Sequence, residues 1–246
     1  MSHDLAGRQN FDSIFKTIHV FVALCDNKYQ GIVPVPARIG NGQDPNSNLY
    51  WGCGYGVRSY FKNSKSWKFL KQFAVDTLIM ERLVFKNTKH NFYLVADAYN
   101  GKYIQQCTTD FLKSCSGEMK DTLSVNGTTI GMHGNAVLEA YIGHDGFMDF
   151  SLPGSFKNVD GKKRDAIILA CISKTYFLPY LKQTNANPLV WSTGLMSPEA
   201  YTLHDALESY TNKEPVENIR NSAASAYSKF QHCSQKAARN LIVSGQ

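Results

Sequence analysis

The fold turns on Asp-Ala-Ile-Ile-Leu-Ala-Cys (165–171), read together with Ala-Val-Leu-Glu-Ala-Tyr-Ile-Gly-His (136–144). Each is an apolar run closed by a reactive side chain, Cys171 in one and His144 in the other. Ala166 to Ala170 is continuously apolar and short, the pattern of a strand buried on both faces rather than of an amphipathic helix. Such strands belong to parallel sheets, whose carboxyl ends open into a crevice where chemistry gathers. The two runs therefore predict a thiol and an imidazole delivered to one edge of a sheet.

Beyond Cys171, Ile172 to Phe177 reads as a helix start with Ser173 as its N-cap, running to about Lys182. A helix N-terminus beside the thiol predicts a lowered pKa. Upstream, Ile18 to Leu24 makes a first strand, and Asp26 to Leu49, rich in Gly, Pro and Asn, makes a long loop of the functional kind. Tyr60 to Leu83 has mixed helical spacings and predicts a helix or two. Asn91 to Ala98 is a second strand, and Gly101 to Ser114 a crossover helix with Tyr103, Ile104, Cys107, Phe111 and Leu112 on one face. Met119 to Met132 reads as irregular or as a short hairpin. The spacer between the two decisive runs holds Pro153 and Gly154 and leaves little room for a crossover helix. Pro188 to Thr193 is a further strand, Pro198-Glu199-Ala200-Tyr201 opens a helix, and Ala223 to Ile242 is a last one. Strands alternating with helices place the chain in the α/β class.

The 246 residues suffice for one domain, 1–246, with a core at about 18–210 and a C-terminal helical extension at 211–246. No charged leader precedes an apolar segment, and no apolar run approaches the roughly 20 residues that cross a bilayer. These features predict a soluble, cytoplasmic protein without a membrane partner. The six cysteines are scattered, which fits reduced thiols, and none has zinc spacing, so no metal is expected. The net charge of +6 is spread along the chain, a mildly basic surface rather than a nucleic-acid site. The densest basic run, Lys162-Lys163-Arg164, follows turn formers and reads as an exposed loop, with a self-processing site as the sharper alternative.

Gly143-His144-Asp145-Gly146 after one apolar block and Ala170-Cys171 after another resemble the caspase-like (clan CD) cysteine peptidases, which include caspases, legumains, gingipains, clostripain and separases. The resemblance covers residues 18 to 210 as an order of elements and two short motifs at residue level. It implies a three-layer sandwich with a mostly parallel central sheet flanked by helices. It implies a cysteine endopeptidase with Cys171 as nucleophile and His144 as proton donor to the leaving amine, acting on a protein or peptide substrate with no metal or organic cofactor. In that family Gly directly follows the catalytic His and its N–H helps bind the oxyanion; here Asp145 intervenes. His133-Gly134 matches the dipeptide but precedes its apolar block, and reads as turn punctuation.

Three alternatives stand beside this. Taken alone, Cys171 after an apolar strand is a core residue. Trp51-Gly52-Cys53-Gly54-Tyr55 is similar to the nucleophile segment of papain-like peptidases that remove ubiquitin-like proteins, which would make Cys53 the nucleophile at a helix start. In the third, the fold persists as a binding or regulatory module, a reading that Asp145 favours. For specificity, Arg38 is a candidate selector of acidic side chains, and Asp149 or Asp205 of basic ones; His19 reads as a structural histidine. Silence before activation would require a partner, a small-molecule signal or self-processing.

Overall fold

The apolar run at 165–171 forms strand β8 (Asp165–Leu169) and the run at 136–144 forms β7 (Leu138–Ile142), paired in parallel with Leu138 beside Asp165. This computed structural model describes residues 11–245. The single-domain span of 1–246 thus includes residues 1–10 and 246, which lie outside the described residues. β1 (Lys16–Ala23) pairs in parallel with β7 on one side and with β4 (Phe92–Tyr99) on the other. β9 (Asn187–Ser192) continues the parallel set beyond β8. Antiparallel strands finish both edges: β3 (Ile79–Asn87) and β2 (Trp67–Phe73) beyond β4, and β10 (Ile242–Val243) beyond β9. The order is β10-β9-β8-β7-β1-β4-β3-β2.

The period-2 geometry of a strand sends alternate side chains to opposite faces, and here both faces are covered. Val20, Val22, Ile167 and Leu169 enter one core with α1 (Val57–Lys62), α4 (Ala200–Thr211), α5 (Val216–Gln231) and α6 (Gln235–Leu241). Phe21, Ala23, Ile168 and Ala170 enter the other with α2 (Ile104–Ser116) and α3 (Ser173–Thr184). Continuous apolarity in β8 is the sequence form of this two-sided burial. Each such large side chain contributes about 1.5–3 kcal/mol by leaving water. The predicted α/β sheet flanked by helices is therefore observed.

Met119 to Met132 takes the second of its two expected forms, a hairpin of β5 (Lys120–Val125) and β6 (Thr128–His133). Asn126 and Gly127 turn it with φ of +49° and +79°, the double left-handed turn that Asn-Gly favours. The β7–β8 crossover has one 3-10 turn, Gly146–Met148, and otherwise irregular chain, as its length required.

Three expectations are corrected. The helices expected within Tyr60 to Leu83 are one short helix, α1, followed by β2, a turn and β3. A bulge between Phe69 and Lys71 and another between Ile79 and Glu81 interrupt the alternation, which is why the apolar residues read at mixed helical spacing. The single last helix is two, α5 and α6, broken where His232 takes φ +53° and Ser234 caps Ala237 N–H. Ser173 does not cap α3. Ile172 holds that place at φ +51°, while Ser173 Oγ donates to Ile168 O, 3.0 Å away.

His19 is structural, as read. It is fully buried, its Nε2 lies 3.0 Å from Asp97 Oδ2, and it accepts His133 N–H on Nδ1. Arg82 closes on both oxygens of Asp97 at 2.6 and 2.7 Å. Among the described residues, no helix is long and apolar enough to cross a membrane.

Candidate functional site

The carboxyl ends of the parallel strands surround a cavity of about 410 Å³. Gly143 and His144 enter it from the end of β7, Cys171 from just beyond β8, and Tyr50 from the end of the first long loop. The remaining wall is apolar apart from Ser197 and Glu199, both on the segment between β9 and α4. Larger clefts of about 540 and 580 Å³ lie along α2 and between α4 and α5, but neither is lined by a cysteine or a histidine.

His144 arrives there because the chain turns out of β7 at Gly143, whose φ is +153° and whose Cα faces Ala23 on β1. A Cβ at 143 would stand 2.9 Å from the Ala23 Cβ and carbonyl oxygen. His144 is 6% exposed. Its carbonyl accepts the Tyr141 hydroxyl at 2.8 Å, and its Nε2 lies 2.8 Å from Asp149 Oδ2. The same oxygen accepts the Gly31 N–H, also at 2.8 Å, which ties the first loop to the histidine. With Nε2–H donated to Asp149, Nδ1 is the free ring nitrogen.

Asp145, the residue that departs from the His-Gly pattern, has a local task. Its Oδ1 accepts Phe147 N–H and starts the 3-10 turn at Gly146–Met148, which carries Asp149 back to His144. Burial pushes its carboxyl up to about 7, against the Phe147 N–H bond, with the Asp149 charge adding to the rise.

Cys171 is half-buried. Its Sγ lies 3.4 Å from both the N and the O of Met196, accepting from one and donating to the other. The lowered thiol pKa expected from the start of α3 is corrected: burial raises it, the Met196 N–H opposes this, and Asp145 adds to the rise. The resting thiol is a hydrogen-bonded S–H, so its ionisation depends on a base.

Cys53 lies in the turn between Trp51 and Gly56, four residues before α1, with its N–H on Asn48 O. It is not among the residues lining the cavity with His144. Gly54 beside it faces open space, while Gly52 and Gly56 are steric requirements. A Cβ at Gly52 would meet the carbonyls of Asn46 and Pro45, and one at Gly56 the backbone of Trp51.

Of the specificity candidates, Asp149 is bonded to His144, Asp205 sits on α4 beside His204, and Arg38 is exposed on the first loop outside the cavity lining. Lys162 and Lys163 are exposed, but Arg164 is buried, bonded to Gly134 O and Asp160; this part of the expected exposed loop is corrected. Sequence reasoning missed Asp149 as the partner of His144, and Met196 and Glu199 altogether. A carboxylate five residues beyond His144, with an aspartate able to cap the turn between, was the available signal. All six cysteines are free, and no cluster of His, Cys, Asp and Glu among the described residues has metal-binding geometry. No protein-family model, curated protein or solved structure matches the chain.

Proposed function

We propose that this chain is a cysteine endopeptidase of the caspase-like type, with Cys171 as nucleophile and His144 as its acid–base partner. The observation that carries the reading is the placement of these two side chains on one cavity, from the ends of adjacent parallel strands, with His144 held by Asp149. Free cysteines fit a reducing, cytoplasmic setting for it.

In the reaction, His144 takes the Sγ proton of Cys171 and the sulfur attacks the peptide carbonyl, forming a C–S bond. The tetrahedral oxyanion collapses, the C–N bond breaks, and the imidazolium gives its proton to the leaving amine. Water then attacks the thioester, its proton passing to His144 and on to sulfur as the carboxylic acid departs. The backbone N–H groups of Asp145 and Cys171 have no protein acceptor among the described residues and are the donors for the oxyanion. The N–H after the histidine is available whether its residue is glycine or aspartate, so Asp145 does not remove that donor. The raised thiol of Cys171 favours a second reading, a binding module that keeps the fold without turnover.

Digestion of a mixed peptide pool by the wild type, Cys171→Ala, His144→Ala and Cys53→Ala proteins tests the proposal. Cleavage by the wild type and Cys53→Ala, with loss in the other two, is expected. Loss in Cys53→Ala alone moves the nucleophile to the papain-like segment, and no cleavage by the wild type supports the binding module.

A further inference from the structure

Glu199 is the one carboxylate lining the cavity of Cys171 and His144, and among the described residues no lysine or arginine lines it. It lies half-buried at the start of α4. Its Oε2 is fixed by the Tyr201 hydroxyl at 2.8 Å and the Gln231 amide at 3.1 Å. Tyr201 is itself fully buried and stacks on Phe230 at 4.4 Å between ring centroids, which makes that support rigid. Oε1 receives no protein donor, and no cationic side chain pairs with the carboxylate among the described residues. A half-buried carboxylate with one oxygen anchored and the other open, on a chain of net charge +6, is a receptor for a positive charge brought by a ligand.

The mouth of the same cavity has a second unusual feature. Val33, Met148 and Leu195 are 88%, 41% and 71% exposed and come from three different loops. Large apolar side chains left in water around one opening mark a binding surface.

We propose that the site selects peptides with lysine or arginine immediately before the scissile bond, the cation meeting Glu199 while a neighbouring apolar residue covers Val33, Met148 and Leu195. This rests on the peptidase reading above. The acyl residue is the one joined to Cys171 Sγ, so its side chain falls in the cavity that Sγ lines, and that cavity's carboxylate reads it. An acidic residue in the same place would bring two carboxylates together in a partly desolvated pocket.

The test is a set of peptides identical except for Arg, Lys, norleucine or Asp before the bond, assayed with the wild type, Glu199→Gln and Glu199→Lys. The expected result is kcat/KM at least about tenfold higher for Arg and Lys than for norleucine in the wild type, the strength of a hydrogen-bonded charge pair. That ratio collapses toward one in Glu199→Gln, and Asp overtakes Arg in Glu199→Lys. Equal cleavage of norleucine, faster cleavage of Asp, or a basic preference that survives Glu199→Gln overturns the specificity while leaving the Cys171 peptidase standing. Failure of the wild type to cleave any member removes the peptidase reading, and this inference with it.

Discussion

Asp149 holds the imidazole of His144, with Oδ2 2.8 Å from Nε2, and the same oxygen binds the Gly31 N–H of the first long loop. One carboxylate thereby orients the proposed acid–base group and anchors a wall of the cavity. Asp149→Asn keeps the shape but replaces the carboxylate that accepts from Nε2 with a neutral amide, a weaker partner for the ring. It is expected to lower kcat by roughly 10²-fold, within the range of acid–base contributions. Steady-state kinetics measures it, and an unchanged kcat would reduce Asp149 to a loop anchor.

The resting thiol of Cys171 is bonded to the backbone of Met196, and burial raises its pKa. The thiolate is the reactive form, so iodoacetamide should modify Cys171 slowly at pH 7, and the rate should still be climbing at pH 9. His144→Ala should leave this simple alkylation largely intact while abolishing peptide cleavage. Rapid alkylation at neutral pH that depends on His144 would show instead a preformed ion pair.

Asp145 gives a stability signature with a definite sign. Its folded pKa of about 7 exceeds the ordinary value of 3.8 because of burial. The folded chain therefore holds a proton that the unfolded chain releases. The stability from that protonated form is fully present below about pH 4 and is lost as pH rises to 7. Asparagine needs no proton, so Asp145→Asn should gain on the wild type by about 2–4 kcal/mol between pH 4 and 7 and then level off. Urea denaturation at a series of pH values measures it, and a constant difference would contradict the assignment.

Gly143→Ala tests how His144 is delivered. The added Cβ would meet Ala23 on β1 at 2.9 Å, at a φ of +153° that L-residues rarely adopt. A loss of about 2 kcal/mol or more is expected from the conformation and contact together. Thermal unfolding reads the loss, and cleavage should fall further than stability explains because His144 moves with the strand end.

What could be read in advance followed from burial. β8, β7, β1 and α2 carry their environment in their composition: continuous apolarity for two covered faces in the strands, one apolar stripe for a helix lying on the sheet. β2 and β3 were hidden because bulges at Phe69/Lys71 and Ile79/Glu81 break the period that identifies a strand. The stop after α5 depends on His232 at φ +53°, a conformation that histidine does not announce. In the site, the arrival of His144 and Cys171 at one cavity was legible because each residue closes an apolar run. The Asp149 contact needed the 3-10 turn that Asp145 caps, and Glu199 looked only like the second residue of a helix opening. The direction of the Cys171 shift was misread because the helix start was weighed without the burial of the sulfur.

The most direct measurement is intact-mass and peptide-map spectrometry of the wild type, Cys171→Ala and Cys53→Ala proteins after treatment with a peptidyl acyloxymethyl ketone carrying Arg next to the reactive group. The proposed mechanism predicts one adduct, mapped to Cys171, that vanishes in Cys171→Ala and persists in Cys53→Ala. An adduct on Cys53 that survives Cys171→Ala, or no adduct at all, would contradict it.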